Sequence, residues 1–310
     1  MISIMDYDLI IIGGGPAGLT AGIYAARARL KVLLLEKITP GGQMLTADWI
    51  ENYPGFPDGI SGADLVMRIS GQAKNLGLLI ESAEIDAVDF SGPLKKIISG
   101  DTVYASRAVI LASGASPNAL GVPGEERFFG RGVSSCATCD APFYKDKIVA
   151  AVGGGDTAIQ ESLFLTKFAS KVYLIHRRDE LRATKILQER ALANDKLEIL
   201  WDSVVKEISG GFTQVEKITI ENVKTGEIRD LAIDGCFIWV GIKPNADFLG
   251  EAVTRDKWGF VVADQSMATS VPGVFAAGDV RATPLRQVAT AVGDAAIAAH
   301  SVDQYLQGLK

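Results

Sequence analysis

Two glycine-rich turns, each placed directly behind a short apolar run and ahead of a helix-forming stretch, constrain the fold of this chain most. They read Gly13-Gly14-Gly15-Pro16-Ala17-Gly18 and Gly153-Gly154-Gly155-Asp156-Thr157-Ala158. Around the first, the pattern predicts a buried parallel strand over Asp8–Ile12, an Ala-rich helix over Pro16–Arg27 and a second strand over Lys31–Glu36. The same order recurs as Lys147–Val152, Thr157–Phe168 and Lys171–Ile175. A strand–helix–strand unit requires a parallel sheet with helices packed on it, so the repeat predicts an α/β fold with two Rossmann-like nucleotide-binding modules. With 310 residues, 48% of them hydrophobic, the chain can bury a core in each of two domains.

The remaining organisation is read from breakers and periodicity. Ser113-Gly114-Ala115-Ser116-Pro117 and Gly241-Ile242-Lys243-Pro244-Asn245 flank the second module and mark chain crossings between domains. Alternating residues from Val204 to Ile233, broken at Ser209-Gly210-Gly211 and Lys224-Thr225-Gly226, predict a meander of strands added to that module. Gln287–Tyr305 predicts a closing helix.

In the first turn Gly13 permits a tight bend, Gly15 lets the backbone approach a pyrophosphate, and Gly18 allows the helix to pack on the strand. Glu36 ends the second strand, where a carboxylate can accept hydrogen bonds from a ribose diol. A tight turn with no ligand is the plain alternative. In the second module the strand end reads His176-Arg177-Arg178 instead. Guanidinium groups bind a 2′-phosphate bidentately where a carboxylate would repel it, which predicts NADP over NAD. Each such charge pair is worth about 4 kcal/mol at about 4 Å and an effective dielectric near 20, before desolvation. Arg182, four residues beyond Arg178, is expected to share a helical face with it as a third donor.

Between the turns, Ser134-Ser135-Cys136-Ala137-Thr138-Cys139-Asp140 sets two thiols three residues apart. A zinc site would need two further ligands, and Cys236, His176 and His300 are not paired at ligand spacing, so no metal site is expected. The flanking Ser, Thr and Asp favour a turn entering a helix over a buried strand, and helix amides lower a thiol pKa, so the pair reads as redox-active. Asp140 is the candidate proton donor and acceptor; the alternative is a favourable charge at a helix N-terminus. Cys236 lies in the apolar run Cys236-Phe237-Ile238-Trp239-Val240 and reads as core. His300 and the scattered Trp49, Trp201, Trp239 and Trp258 carry no assigned chemistry.

The balance of 31 basic against 37 acidic residues gives no footprint for nucleic acid or an anionic membrane. Met1–Asp8 lacks a basic stretch, the run Leu9–Ile12 is too short for a secretory segment, and no apolar run approaches the roughly 20 residues of a membrane helix. Three cysteines are too few for a secreted disulfide scaffold, so a reducing cytoplasm is expected.

Taken in order, these motifs resemble the low-molecular-weight bacterial thioredoxin reductases from end to end. The likeness includes the first turn with Glu36, Gly41-Gly42-Gln43, Glu51-Asn52-Tyr53-Pro54-Gly55-Phe56 and Ala112-Ser113-Gly114-Ala115. It continues through Cys136-Ala137-Thr138-Cys139-Asp140, His176-Arg177-Arg178 with Arg182, and Gly278-Asp279 followed by Arg286-Gln287. The resemblance implies FAD on a domain made of about 1–116 and 247–310, and NADPH on 117–246, which also carries the dithiol. Around FAD it places Gly13, Gly15, Pro16, Ala17, Gly18, Glu36, Gly42, Gln43, Asn52, Ala112, Gly114, Gly278, Asp279, Arg286, Gln287 and Val288. Around NADPH it places Gly153, Gly155, Asp156, Thr157, His176, Arg177, Arg178 and Arg182. From the residues alone, Gln43, Asn52, Arg286 and Gln287 could equally be loop or cap residues.

As in that family, hydride would pass from NADPH to the flavin and then to the Cys136/Cys139 disulfide. Cys139 would face the flavin and Cys136 would attack thioredoxin or a thioredoxin-like protein. A homodimer is implied, as is rotation of one domain on the other at the two crossings. One departure is Ala141-Pro142 after Asp140, where many relatives have glycine first; a proline so early fits only the first turn of a helix. A ferredoxin-type NADP reductase would lack the dithiol, and a flavin-dependent dithiol oxidase would lack the arginine cluster. A nucleotide-sensing or zinc-binding protein without turnover would be colourless.

Overall fold

A computed structural model describes residues 6–47, 50 and 52–309, without the side chains of Asp6, Thr46, Thr138 and Cys139. Trp49 and Glu51 therefore lie outside the described residues, as do the first five residues. The chain forms two compact units, one running to Ser116 and resuming at Lys243, the other Pro117–Ile242.

The first unit opens with β1 (Asp6–Ile12), α1 (Pro16–Arg27), β2 (Val32–Glu36), α2 (Gly62–Asn75) and β3 (Leu79–Ser82). It continues with β4 (Ala87–Asp89), β5 (Lys95–Ser99), β6 (Thr102–Leu111) and the crossing strand β7 (Ala115–Pro117). The second unit holds α3 (Glu125–Phe128), β8 (Val133–Ser134), α4 (Ala137–Asp140), β9 (Ile148–Gly153), α5 (Asp156–Leu165), β10 (Lys171–Ile175), α6 (Lys185–Leu192) and β11 (Leu197–Leu200). It ends with β12 (Ser203–Gly210), β13 (Val215–Asn222), β14 (Ile228–Ala232) and β15 (Gly235–Trp239). The chain returns through β16 (Ile242–Pro244) and finishes with β17 (Val274–Ala276) and α7 (Val288–Gly308).

In the first unit the sheet order is β3-β2-β1-β6-β5-β4, with β17 also on β6. β1 pairs parallel with both β2 and β6. Its unbroken apolar run has a simple cause. Leu9 and Ile11 point into the core formed with α1, α2 and α7, whereas Ile10 and Ile12 point into a second core on the opposite face. A strand covered on both faces has no polar side to show.

The second unit repeats the arrangement with a parallel sheet of order β11-β10-β9-β15-β8. Val149 and Ala151 face one core with residues of α5 and α6, and Ala150 and Val152 face another. That second face is covered by the meander β12-β13-β14, a separate antiparallel sheet whose Ile208, Val215, Ile218 and Ile220 supply the cover. The expected meander is present, and its function is to close the back of the second sheet.

β7 and β16 pair as a two-stranded ribbon where the chain crosses. Just beyond it, Asn245 is fixed to the first unit by four hydrogen bonds. Its amide Nδ2 donates to the Ser113 carbonyl at 2.9 Å, its carbonyl and Oδ1 accept the Ser113 and Ser116 hydroxyls at 2.7 and 2.8 Å, and its N–H meets the Gly114 carbonyl at 3.0 Å. Lys243–Ala246, read from sequence with the middle segment, accordingly groups with the first unit.

Candidate functional site

In the first unit the glycine turn leads from β1 into α1 with Gly15 as N-cap, and no side chain caps the helix; Pro16 in the first turn supplies no N–H. The N-terminus of α1 is thereby left without a side-chain cap, the arrangement that suits an anion. A Cβ on Gly18 would sit 1.8 Å from the Gly13 carbonyl oxygen, whereas one on Gly15 would meet nothing within 4 Å. Gly13, at φ +105°, is pressed on the Ala112 carbonyl, which would lie 2.4 Å from an added Cβ. Glu36 reaches back to the turn and accepts the Gly14 N–H at 2.6 Å through Oε2.

Among the other residues expected around FAD, Gly42, Ala112 and Gly278 lie against this turn or the start of α1. The Gly41 N–H donates to the Gly14 carbonyl at 2.8 Å, and a Cβ on Gly42 would lie 3.2 Å from the Gly15 Cα. Gln43 Nε2 donates to the Ala115 carbonyl. Ala112 donates to the Ile12 carbonyl at 2.8 Å, and Gly114 turns at φ +72°. Asn52 Nδ2 donates to Gln287 Oε1 at 3.0 Å; Gln287 is also the N-cap of α7, in a capping box with Thr290, and Val288 begins the helix. Gly278 packs against Ala17 and Ala291. Beside it, burial pushes the Asp279 carboxyl above its ordinary value, Asp294 adding to the rise and Arg286 opposing it. Arg286 lies 4.1 Å over the Phe260 ring, and burial lowers its own pKa.

In the second unit, Gly155 caps α5 with open space where its Cβ would be, matching Gly15. Gly153 is pressed on Ala158 and the Trp239 carbonyl. Asp156 Oδ1 accepts the Thr184 N–H at 2.6 Å, and Thr157 is exposed in the first turn of α5. His176 differs from its expected part. It is buried, with Nδ1 2.7 Å from the Gly153 carbonyl and Nε2 2.8 Å from the Glu180 carbonyl. Both nitrogens are engaged inside the protein, so this ring shapes the turn and leaves no free donor for a phosphate.

Arg177, Arg178 and Arg182 are all exposed, and among the described residues none of them makes an ion pair. The helical face predicted for Arg178 and Arg182 is corrected: residues 176–184 are irregular, and α6 begins only at Lys185. Arg182 is instead returned to the turn by its backbone N–H, which donates to the Gly154 carbonyl at 2.7 Å.

The dithiol loop enters α4 with Cys136 as N-cap. Cys136 is disulfide-bonded, Cys236 is a free buried thiol, and the Cys139 side chain lies outside the described residues. Burial pushes the Cys236 thiol up, away from reactivity. α4 is only four residues long, so the amide contribution to thiol acidity is that of one turn. Asp140 closes this turn, its N–H meeting the Cys136 carbonyl at 3.2 Å. Pro142 falls in the first turn of a 3₁₀ helix over Ala141–Tyr144, so the departure from the usual glycine is accommodated. Tyr144, in that segment, is pushed up to about 12 by burial and by Asp140.

Two loop supports escaped the sequence reading. Trp239 donates its indole N–H to the Ser135 carbonyl at 2.9 Å, and Glu161 on α5 accepts the Ala137 N–H at 3.1 Å. Trp239 thus touches both the dithiol loop and Gly153, while α5 runs from the dinucleotide turn to the residue beside Cys136. Among the described residues no His/Cys/Asp/Glu group is arranged to hold a metal.

Residues 7–295 match the model of the pyridine nucleotide-disulphide oxidoreductases. The chain belongs to this family. It is 45% identical over 305 residues to the thioredoxin reductase of Bacillus subtilis, covering 98% of this chain and 96% of that one. The Listeria innocua thioredoxin reductase is 44% identical, with 98% and 95% covered. Among solved structures, the thioredoxin reductase of Streptococcus pyogenes superimposes with a TM-score of 0.81 at 47% identity, over 99% of this chain and all of that one (100%). Both nucleotide turns and the Cys136–Cys139 loop fall inside the matched span.

Proposed function

We infer that the protein is a thioredoxin-disulfide reductase dependent on FAD and NADPH, with thioredoxin or a thioredoxin-like protein as its substrate. The observation that carries this reading is the pairing, within one compact unit, of a Cys136 disulfide with a dinucleotide turn flanked by exposed arginines, while the other unit bears an acid-tagged turn. Held in the first unit, FAD would supply the two-electron relay between NADPH and the Cys136 disulfide.

The protein's own residues do the binding and the sulfur chemistry. The Gly13–Gly18 turn and the N-terminus of α1 hold the FAD pyrophosphate, Glu36 the adenosine ribose, and Gly278-Asp279 the ribityl and phosphate region. Gly42, Gln43, Asn52, Ala112, Gly114, Arg286, Gln287 and Val288 complete that site. Gly153, Gly155, Asp156 and Thr157 hold the NADPH pyrophosphate, and Arg177, Arg178 and Arg182 its 2′-phosphate, on a turn that His176 positions. Once the disulfide is reduced, the Cys136 thiolate attacks the thioredoxin disulfide and forms a mixed disulfide. Cys139 then attacks the Cys136 sulfur, which restores the internal disulfide and releases thioredoxin with two thiols. Asp140 supplies and removes the proton at the departing sulfur.

Kinship with this family supports a homodimer, and the sparse cysteine content supports a cytoplasmic location. No described helix is long and apolar enough to cross a membrane. The test mixes purified protein with NADPH and oxidised thioredoxin and follows NADPH loss and new thioredoxin thiols. NADPH consumption with thioredoxin left oxidised would return the reading to a ferredoxin-type reductase.

A further inference from the structure

The loop that presents Asp279 is held by a residue that no nucleotide motif contains. Asp294 lies on α7 and is 8% exposed. A carboxylate removed from water persists only when it is both paired and hydrogen-bonded. Its Oδ2 accepts Arg281 Nε at 2.6 Å and the Gly278 backbone N–H at 3.1 Å, and its Oδ1 accepts Arg281 Nη2 at 2.9 Å. The Arg281 side chain is itself only 16% exposed. One carboxylate therefore ties both ends of the short turn Gly278–Arg281, and Asp279 stands between the ties.

The turn has little other freedom. Gly278, at φ +76°, is wedged between Ala17 of α1 and Ala291 of α7, whose Cβ atoms would lie 3.0 and 3.5 Å from an added Cβ. Arg286 donates to the carbonyls of Asp279 and Arg281, both at 3.4 Å. Asp294 fixes the inner edge of the turn, and Arg286 holds the outer.

We propose that Asp294, acting through Arg281 and the Gly278 amide, is a positioning residue for FAD that sets the turn presenting Asp279 to the cofactor. The inference rests on the reading that FAD occupies the first unit. A mere staple between turn and helix would change the stability of the FAD-free and FAD-loaded protein equally. A positioning residue changes the affinity for FAD itself.

The experiment makes Asp294→Asn in the full chain and measures two quantities. One is the FAD dissociation constant, from flavin fluorescence on release and rebinding; the other is the melting temperature with and without FAD. Asn keeps an acceptor for Gly278 but leaves the buried guanidinium uncompensated, so the dissociation constant should rise about tenfold or more. Asp294→Glu should recover part of the loss. An unchanged dissociation constant, with both melting temperatures lowered equally, overturns the proposal. Should Asp294→Asn fail to fold, Arg281→Lys keeps the charge and loses the bidentate fork; it should raise the constant likewise, and no rise refutes the proposal. If the wild-type chain itself takes up no FAD, the functional reading fails first.

Discussion

Replacing Gly15 by alanine separates folding from cofactor binding at one atom. Gly15 has φ −70° and ψ −173°, extended backbone that any residue adopts, and an added Cβ would meet nothing within 4 Å. The substitution therefore strains nothing in the FAD-free fold. By restricting the unfolded chain it should stabilise that form by about 0.4–1 kcal/mol. On the proposed assignment this open space is where the pyrophosphate would meet the N-terminus of α1, and a methyl group there would hold the anion away. Loss of one charge-assisted hydrogen bond costs about 1.5–3 kcal/mol, which weakens FAD binding roughly ten- to hundredfold. Gly18→Ala is the mirror case. Its Cβ would lie 1.8 Å from the Gly13 carbonyl oxygen, and only movement of the backbone relieves that. It should destabilise the FAD-free protein by about 1–3 kcal/mol, more than the roughly 1 kcal/mol that alanine gains over glycine within a helix. Urea unfolding of the FAD-free variants and FAD titration give both quantities. Wild-type FAD affinity in Gly15→Ala would refute the assignment of this turn as the pyrophosphate cradle.

Cys136→Ser should abolish thioredoxin reduction while NADPH still bleaches the flavin; retained turnover with thioredoxin would refute the dithiol relay, since one sulfur cannot form the internal disulfide. Arg178→Ala and Arg177→Ala should each raise the KM for NADPH about tenfold and leave that for NADH unchanged, since only the 2′-phosphate is lost as a partner. Steady-state kinetics with both nucleotides checks this, and equal loss for the two would remove the arginines from the phosphate site. Burial pushes the Asp8 carboxyl up, but the Lys31 N–H at 2.8 Å and the Arg107 guanidinium outweigh it and hold it below its ordinary value of 3.8. A lowered folded-state pKa gives stability that is present above the unfolded value and is lost as pH falls through the folded one. Asp8→Asn should thus be less stable than wild type near neutrality, with the gap closing below about pH 3.8. A gap of constant size across an acid titration would show that Asp8 contributes no ion-pair energy.

What was legible in the sequence follows the range of the interactions involved. α1 begins at Pro16 and ends at Arg27, as the apolar periodicity and the turn predict, because its limits are set by its own residues. β1 and β9 were legible for a related reason, since burial on both faces leaves an unbroken apolar run. β8, two residues at a sheet edge, carries no such signal. Arg182 was misread because spacing four suggests a helix, whereas its place is set by a backbone bond to Gly154, 28 residues earlier. Glu161, Asn245 and Asp294 were silent for the same reason: each acts on a partner distant along the chain, and nothing local distinguishes it from a surface polar residue. Asp294 and Arg281 in particular read as ordinary charges until the fold buries them together.

The two turns show how one scaffold is adapted to two nucleotides. In each, the residue at the end of the second strand, or one past it for His176, lies beneath the middle glycine. A Cβ on Gly14 would be 3.1 Å from Glu36 Oε2, and one on Gly154 would be 2.2 Å from the His176 ring. At Gly154 the His176 ring leaves no room for a Cβ, whereas at Gly14 Glu36 would have to yield by a few tenths of an ångström, a constraint the fingerprint alone does not reveal. Where that residue is Glu36, it clamps the turn through the Gly14 N–H and presents carboxylate oxygen to a diol. Where it is His176, it clamps the turn through the Gly153 carbonyl and carries no fixed negative charge. The arginines that follow can then gather a phosphate at the same edge without an opposing carboxylate. On the proposed assignment, a ring in place of a carboxylate beneath the second glycine leaves that edge free of negative charge, which suits a 2′-phosphate held by the arginines.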